Sequence, residues 1–122
     1  MDLKGKKVLV FGSGISGEAA GRLLLEKGAE VVVYDGNDSL DEKKLLSEIT
    51  WKKGQKVTVI LGRLSELQED EMLDGLSLVV ISPGVPTDLP IVAKMRERGI
   101  PVWGEIELAY VFGKGDVLAI TG

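Results

Sequence analysis

The sequence predicts an α/β fold, an open and mainly parallel sheet of five strands with helices on both faces. Three observations predict it. The run Val8-Leu9-Val10-Phe11 is a continuous apolar strand that enters Gly12-Ser13-Gly14-Ile15-Ser16-Gly17, a G-x-G-x-x-G loop, and then a helix. Strand-like and helix-like segments alternate along the whole chain, as βαβ units require. The second strand ends in an acid, Asp35, eighteen residues after Gly17. Together these describe a Rossmann-like sheet, with right-handed crossovers placing helices on both sides.

The elements follow in order. Lys7 to Phe11 is the first strand. Ile15 to Lys27 is a helix with Ile15, Ala19, Leu23 and Leu24 expected on one face and Gly28 as its stop. Glu30 to Tyr34 is the second strand, closed by Asp35, and Gly36-Asn37-Asp38 is a turn. Ser39 with Glu42 has capping-box spacing, so a helix is expected to open there, with Leu45, Leu46 and Ile49 inward. Val57 to Leu61 is the third strand; Ser65 with Gln68 repeats the capping spacing and opens a helix to about Met72. Leu78 to Ile81 is the fourth strand, ended by Ser82-Pro83-Gly84. Pro90 begins a helix that runs to Arg98 and stops at Gly99. Pro101 to Trp103 is a short strand whose proline suits an edge or a strand start, and Glu105 to Phe112 is a helix. Residues 1–112 are expected to form one domain. Gly113-Lys114-Gly115-Asp116 reads as a hinge, and Val117 to Ile120 as the strand opening a second domain.

Composition narrows the function. With 122 residues the chain can bury a core without disulfides or metals, and it holds no cysteine and no histidine. A zinc or copper site is therefore not expected. A net charge of −4 without a basic cluster speaks against nucleic acid. No apolar run approaches the roughly 18 residues of a membrane span, and the N-terminus lacks a signal-peptide core. A cytoplasmic, metal-free α/β protein is the class that remains.

In an open α/β sheet, ligands bind beyond the carboxyl ends of the strands. Three loops are expected to meet there: Gly12 to Gly17, Asp35-Gly36-Asn37 and Ser82-Pro83-Gly84-Val85. Gly12 allows the turn, Gly14 lets a diphosphate approach the backbone, and Gly17 lets the helix pack closely on the strand. The helix then presents its free N–H groups and roughly half a positive charge. Asp35 suits a ribose hydroxyl or a base N–H; the alternative is a turn residue or cap. Ser82-Pro83-Gly84 is either a rigid turn or a ligand contact. Glu105 and Glu107, two apart on a helix, do not share a face and are expected to favour the helix N-terminus rather than form a catalytic pair. Trp51 and Trp103 are expected to pack. The charges of Asp41 to Lys44 and Glu69 to Glu71 are expected to be solvated.

These motifs carry a resemblance. Gly5 to Gly17, Val31 to Asp35, Val-Ile-Ser-Pro-Gly-Val-Pro at Val80 to Pro86, Gly-Glu-Ile-Glu-Leu at Gly104 to Leu108 and the terminal Ala119-Ile120-Thr121-Gly122 resemble the N-terminal domain of the Mur ligases. Within that family they are similar to the branch that adds D-glutamate to UDP-N-acetylmuramoyl-L-alanine in peptidoglycan biosynthesis. The resemblance implies a UDP-binding domain, followed in the complete enzyme by a central domain for ATP and magnesium and a third for the amino acid. It implies a diphosphate on Gly14, Ile15, Ser16 and Gly17, and uridine at Asp35, Gly36 and Asn37. It places Ser82, Pro83 and Gly84 beside the nucleotide. It makes Gly122 the first glycine of an ATP loop. No catalytic residue, metal ligand or bound cofactor is expected in these residues, and the fragment alone is expected to be inactive. At Gly36-Asn37 the chain departs from the larger polar residue the family places after the acid.

Two other classes use the same fingerprint: the NAD-binding domain of an oxidoreductase and a non-catalytic nucleotide-sensing module. The Ser-Pro-Gly and Glu-Ile-Glu-Leu segments are not expected in the first, and the phosphate-loop start at Ala119-Ile120-Thr121-Gly122 is not expected in the second.

Overall fold

The computed structural model describes residues 3–13, 15–49 and 56–112. The expected hinge and final strand, together with Trp51, Gly14 and Gly122, lie outside them. The elements are β1 (Lys7–Phe11), α1 (Ile15–Glu26), β2 (Glu30–Asp35), α2 (Glu42–Ile49), β3 (Val57–Leu61), α3 (Glu66–Leu73), β4 (Leu76–Ile81), α4 (Pro90–Glu97), β5 (Val102–Gly104) and α5 (Glu105–Phe112).

The apolar runs make one five-stranded sheet in the order β3-β2-β1-β4-β5, with every pair parallel. Alternate residues face opposite sides, and both sides are covered. Val8, Val10, Val31, Val33, Leu78 and Val80 meet Leu24 of α1, Leu45 and Ile49 of α2 and Leu108 of α5. Leu9, Phe11, Val32, Tyr34, Val79 and Ile81 meet Met72 of α3 and Ile91, Val92 and Met95 of α4. Burial on both faces is why these strands read as continuous apolar runs rather than alternating ones. Each large side chain taken from water contributes roughly 1.5–3 kcal/mol.

The chain winds from β1 through β2 to β3 on one side, then returns to place β4 and β5 on the other. The crevice of such a sheet lies where this reversal occurs, at the carboxyl ends of β1 and β4. Register brings the loops to one level: Phe11 pairs with both Tyr34 and Ile81. The loops after β1, β2 and β4 therefore leave the sheet together.

Four local expectations are corrected. Ala19 is exposed and Ala20 is buried, because the inward face of α1 runs through Gly17, Ala20, Gly21 and Leu24. A Cβ on Gly21 would stand 3.1 Å from Ile49 Cγ2, so a glycine stripe sets the contact between α1 and α2. Second, α2 opens at Glu42 rather than Ser39. Asp41 Oδ1 accepts the Lys44 N–H at 3.2 Å, while the Ser39 N–H goes to Asn37 Oδ1 at 3.0 Å. Asn37 holds the chain in a turn through Ser39, so the cap passes to the next suitable oxygen. Third, β4 starts two residues early at Leu76, and β5 is Val102–Gly104 rather than 101–103. Pro101 has no N–H to give, yet its carbonyl accepts from Val79 N–H at 2.9 Å, which fits its place at the start of an edge strand. Fourth, Glu69 and Asp70 are not merely solvated. Lys94 bridges both, at 3.4 and 2.7 Å, and Arg98 joins Asp70 at 2.7 Å, tying α3 to α4. The Ser65–Gln68 capping box forms as expected.

Candidate functional site

The glycine loop is shaped by two close approaches. Gly12 adopts φ +104°, and its N–H donates to the Tyr34 carbonyl at 2.8 Å. A Cβ there would lie 2.8 Å from both Cβ and Oγ of Ser82. A Cβ on Gly17 would collide with the Gly12 carbonyl. The first and last glycines of the fingerprint thus let β1, the loop after β4 and the first turn of α1 pack against one another. Ile15 and Ser16 form that first turn; their side chains, like the whole of Gly14, lie outside the described residues. The N-terminus of α1 opens where the strands end, and a helix start of this kind favours an anion.

Asp35 binds this loop to the next one. Its Oδ2 accepts both the N–H and the hydroxyl of Ser13, at 3.0 and 2.8 Å. Its Oδ1 accepts the Asn37 N–H at 2.9 Å, closing a turn. Burial works against charge on Asp35. The hydrogen bonds from Asn37 N–H, Ser13 hydroxyl and Ser13 N–H together outweigh it, and the carboxyl sits below its ordinary value. A carboxylate offers about four acceptor directions. Among the described residues, two donors meet Oδ2 and one meets Oδ1. The turn reading of Asp35 holds: its carboxylate closes the turn at Asn37 and ties it to Ser13.

Beside Asp35 lies a cleft of about 390 Å³. Phe11, Tyr34, Pro86 and Leu89 give it apolar walls, and Asp35 and Glu69 give it acceptors. Gly36 and Gly84 also border it, and neither has any atom within 4 Å of where a Cβ would stand. The Phe11 and Tyr34 rings are 5.1 Å apart and tilted by 49°. Burial, then the charges of Glu69 and Asp35, raise the Tyr34 phenol, and its hydroxyl donates to the Gly62 carbonyl at 2.9 Å. Among the described residues, none of those lining the cleft is basic. Its apolar walls and acceptors suit a flat ring bearing N–H or O–H donors.

A wider hollow of about 700 Å³ lies on the other side of Asp35, bounded by Glu18, Asn37, Lys44 and Glu48. Glu18 is held above the usual carboxylate value, first by its hydrogen bond with Glu48, then by burial and by the Glu48 charge; Arg22 and Lys44 oppose the rise. Crowded carboxylates make this hollow a poor place for a phosphate.

The Ser-Pro-Gly loop completes the edge. Ser82 N–H donates to the Phe11 carbonyl at 3.0 Å, and its carbonyl accepts Val85 N–H at 3.0 Å, so the loop turns back across the crevice. Ser82 Oγ donates to Glu105 Oε1 at 2.8 Å and lies 3.3 Å from the Gly12 carbonyl. Glu107 accepts the Gly104 N–H at 3.1 Å, which supports the expected role at the start of α5. Glu105 does something else: it reaches the ligand edge. Sequence reasoning missed Ser13 and Glu105. A small hydroxyl inside the fingerprint, facing an acid at the next strand end, was the available signal for Ser13. Trp103 is partly buried against the core, as expected of a packing residue.

Comparisons with known proteins bear on the family and the fold. Residues 6–104 match the family described as Mur ligase MurD-like, N-terminal domain. UDP-N-acetylmuramoylalanine–D-glutamate ligases are similar over the whole chain: 48% identity for Lachnospira eligens, 43% for Lachnoclostridium phytofermentans and 42% for Alkaliphilus oremlandii. In each case the 122 residues cover 26% of the relative, so the chain spans about a quarter of their length. Among solved structures, shikimate dehydrogenase from Aquifex aeolicus matches at TM-score 0.57 and 17% identity, over 98% of this chain and 49% of that one. An NADH-dependent reductase complexed with NAD matches at 0.56 and 18%, over 84% and 60%. At such identities these structures bear on the fold, which is the expected Rossmann-like one.

Proposed function

The chain belongs to the MurD-like N-terminal domains of the Mur ligases, and from that membership we propose that it holds the UDP end of UDP-N-acetylmuramoyl-L-alanine for a D-glutamate-adding ligase. The main-chain amides from Gly14 to Gly17 take the diphosphate. Asp35, Gly36 and Asn37 border the uridine, and Ser82-Pro83-Gly84 closes over the nucleotide. The observation that carries this reading is the Ser13–Asp35 junction. It joins a helix start suited to an anion to an apolar cleft edged by a carboxylate, the order in which a nucleoside diphosphate presents its parts.

ATP, magnesium and D-glutamate belong, in this proposal, to the complete polypeptide, with Gly122 entering the ATP loop. They would activate and consume the substrate carboxylate outside the described residues. A cytoplasmic site of action follows from the same assignment. Among the described residues, no helix is long and apolar enough to cross a membrane.

The test is an amide-resolved titration with UDP, UDP-N-acetylmuramoyl-L-alanine and NAD at equal concentration. The uridine compounds are expected to move the amides of residues 12–17 and 35–37 first. A response to NAD alone would favour the oxidoreductase reading, which the dehydrogenase-like fold and Asp35 also accommodate.

A further inference from the structure

The Ser82 hydroxyl faces two acceptors and has one proton. Glu105 Oε1 is 2.8 Å away and charged; the Gly12 carbonyl is 3.3 Å away and neutral. A charged acceptor at the shorter distance holds the proton more strongly. Glu105 therefore fixes the Ser82 rotamer, although it lies twenty-three residues further along the chain and opens a different helix. The rotamer matters because Ser82 Cβ and Oγ occupy the space a side chain at Gly12 would need. The Gly12 carbonyl in turn fills the space a side chain at Gly17 would need. One stack of contacts thus runs from Glu105 through Ser82 and Gly12 to Gly17, the last residue of the anion-binding loop.

We propose that Glu105 is a positioning residue for the diphosphate cradle: by holding the Ser82 hydroxyl it sets the distance between the loop after β4 and the glycine loop. The inference rests on the assignment of a nucleoside diphosphate to this edge. Glu105 lies behind Ser82 in the contact stack and acts through it. Removing its acceptor lets the Ser82 proton turn to the Gly12 carbonyl and shifts the cradle.

The experiment uses the 122-residue chain with Glu105→Ala and Glu105→Gln, titrated with UDP and with uridine while amide resonances are followed. Glu105→Ala is expected to weaken UDP by about three- to tenfold while leaving uridine within about twofold, the weight of one lost hydrogen bond. Glu105→Gln keeps an oxygen that accepts from Ser82 and is expected to stay near the native affinity. In the ligand-free chain, Glu105→Ala should already move the Gly12 and Gly17 amides. Three results would overturn the proposal: tighter UDP binding in both variants, which would mean that the Glu105 charge merely repels the ligand; equal weakening of UDP and uridine with a lower Tm, which would mean general loosening; or unmoved Gly12 and Gly17 amides. A native chain that binds neither compound would remove the functional assignment itself, while the ligand-free shifts would still decide the coupling.

Discussion

Ser13 gives both its N–H and its hydroxyl to a single oxygen of Asp35, at 3.0 and 2.8 Å. This junction ties Ser13, the second residue after β1, to the end of β2. The clamp needs the carboxylate charged, and the lowered carboxyl value of Asp35 expresses that need.

Replacing Asp35 with alanine should therefore cost stability as well as ligand. Asp35 is only partly buried, so solvent still screens the clamp, and a loss of about 1–2 kcal/mol is expected. A carboxyl whose folded value lies below its unfolded one stabilises the fold above the unfolded value, near pH 4. That contribution fades as pH falls toward the folded value. Denaturant melts of native and Asp35→Ala chains should differ most at neutral pH and converge below about pH 4. A difference that grew with acid would contradict the clamp.

Ser13→Ala removes the hydroxyl and keeps the N–H. It should cost about 0.5–1.5 kcal/mol, less than Asp35→Ala. In the double variant the two losses should overlap rather than add, because both remove the same bond. Additive losses in a double-mutant cycle would show that Ser13 and Asp35 act separately.

What the sequence made legible follows from what each signal depends on. The strands were readable because a strand buried on both faces needs an uninterrupted apolar run, as in Val31-Val32-Val33. Gly12, Gly17 and Asp35 were readable because the tight turn, the close helix packing and the strand-end acid of such a sheet recur at fixed spacings. The start of α2 was not, since Ser39 and Asp41 are both good caps. The choice falls to the Asn37 turn, which depends on where β2 delivers the chain. The Ser82–Glu105 bond was hidden for a similar reason. It joins residues from two crossovers, and nothing local to either marks the partner.

Two glycine substitutions should separate packing from ligand space. A Cβ on Gly17 meets the Gly12 carbonyl, a backbone atom that cannot swing aside. Gly17→Ala is expected to destabilise by about 1–3 kcal/mol or to displace α1, with loss of UDP binding. Gly84 has open space around its would-be Cβ. Gly84→Ala should leave the melting temperature within about 2 °C, since a free surface position rarely shifts stability by more than roughly 0.5 kcal/mol. Because Gly84 borders the cleft, any effect should be seen in nucleotide affinity. A Gly84→Ala chain that unfolds, or a Gly17→Ala chain that melts like the native one, would contradict this division.

UDP alone should bind the 122-residue chain weakly. Two charge-assisted bonds contribute about 1.5–3 kcal/mol each, and association costs roughly 4 kcal/mol or more. The balance of at most about 2 kcal/mol corresponds to an affinity no tighter than tens of millimolar. The cleft adds some apolar contact, but its Asp35 and Glu69 carboxylates repel the diphosphate across the edge they share. That repulsion is screened by salt, so UDP affinity should rise modestly between low and physiological ionic strength, opposite to a site lined with lysines. Calorimetric or NMR titrations at two salt concentrations would measure it. Nanomolar binding, or binding that collapsed on adding salt, would mean that cations from outside the described residues hold the phosphates.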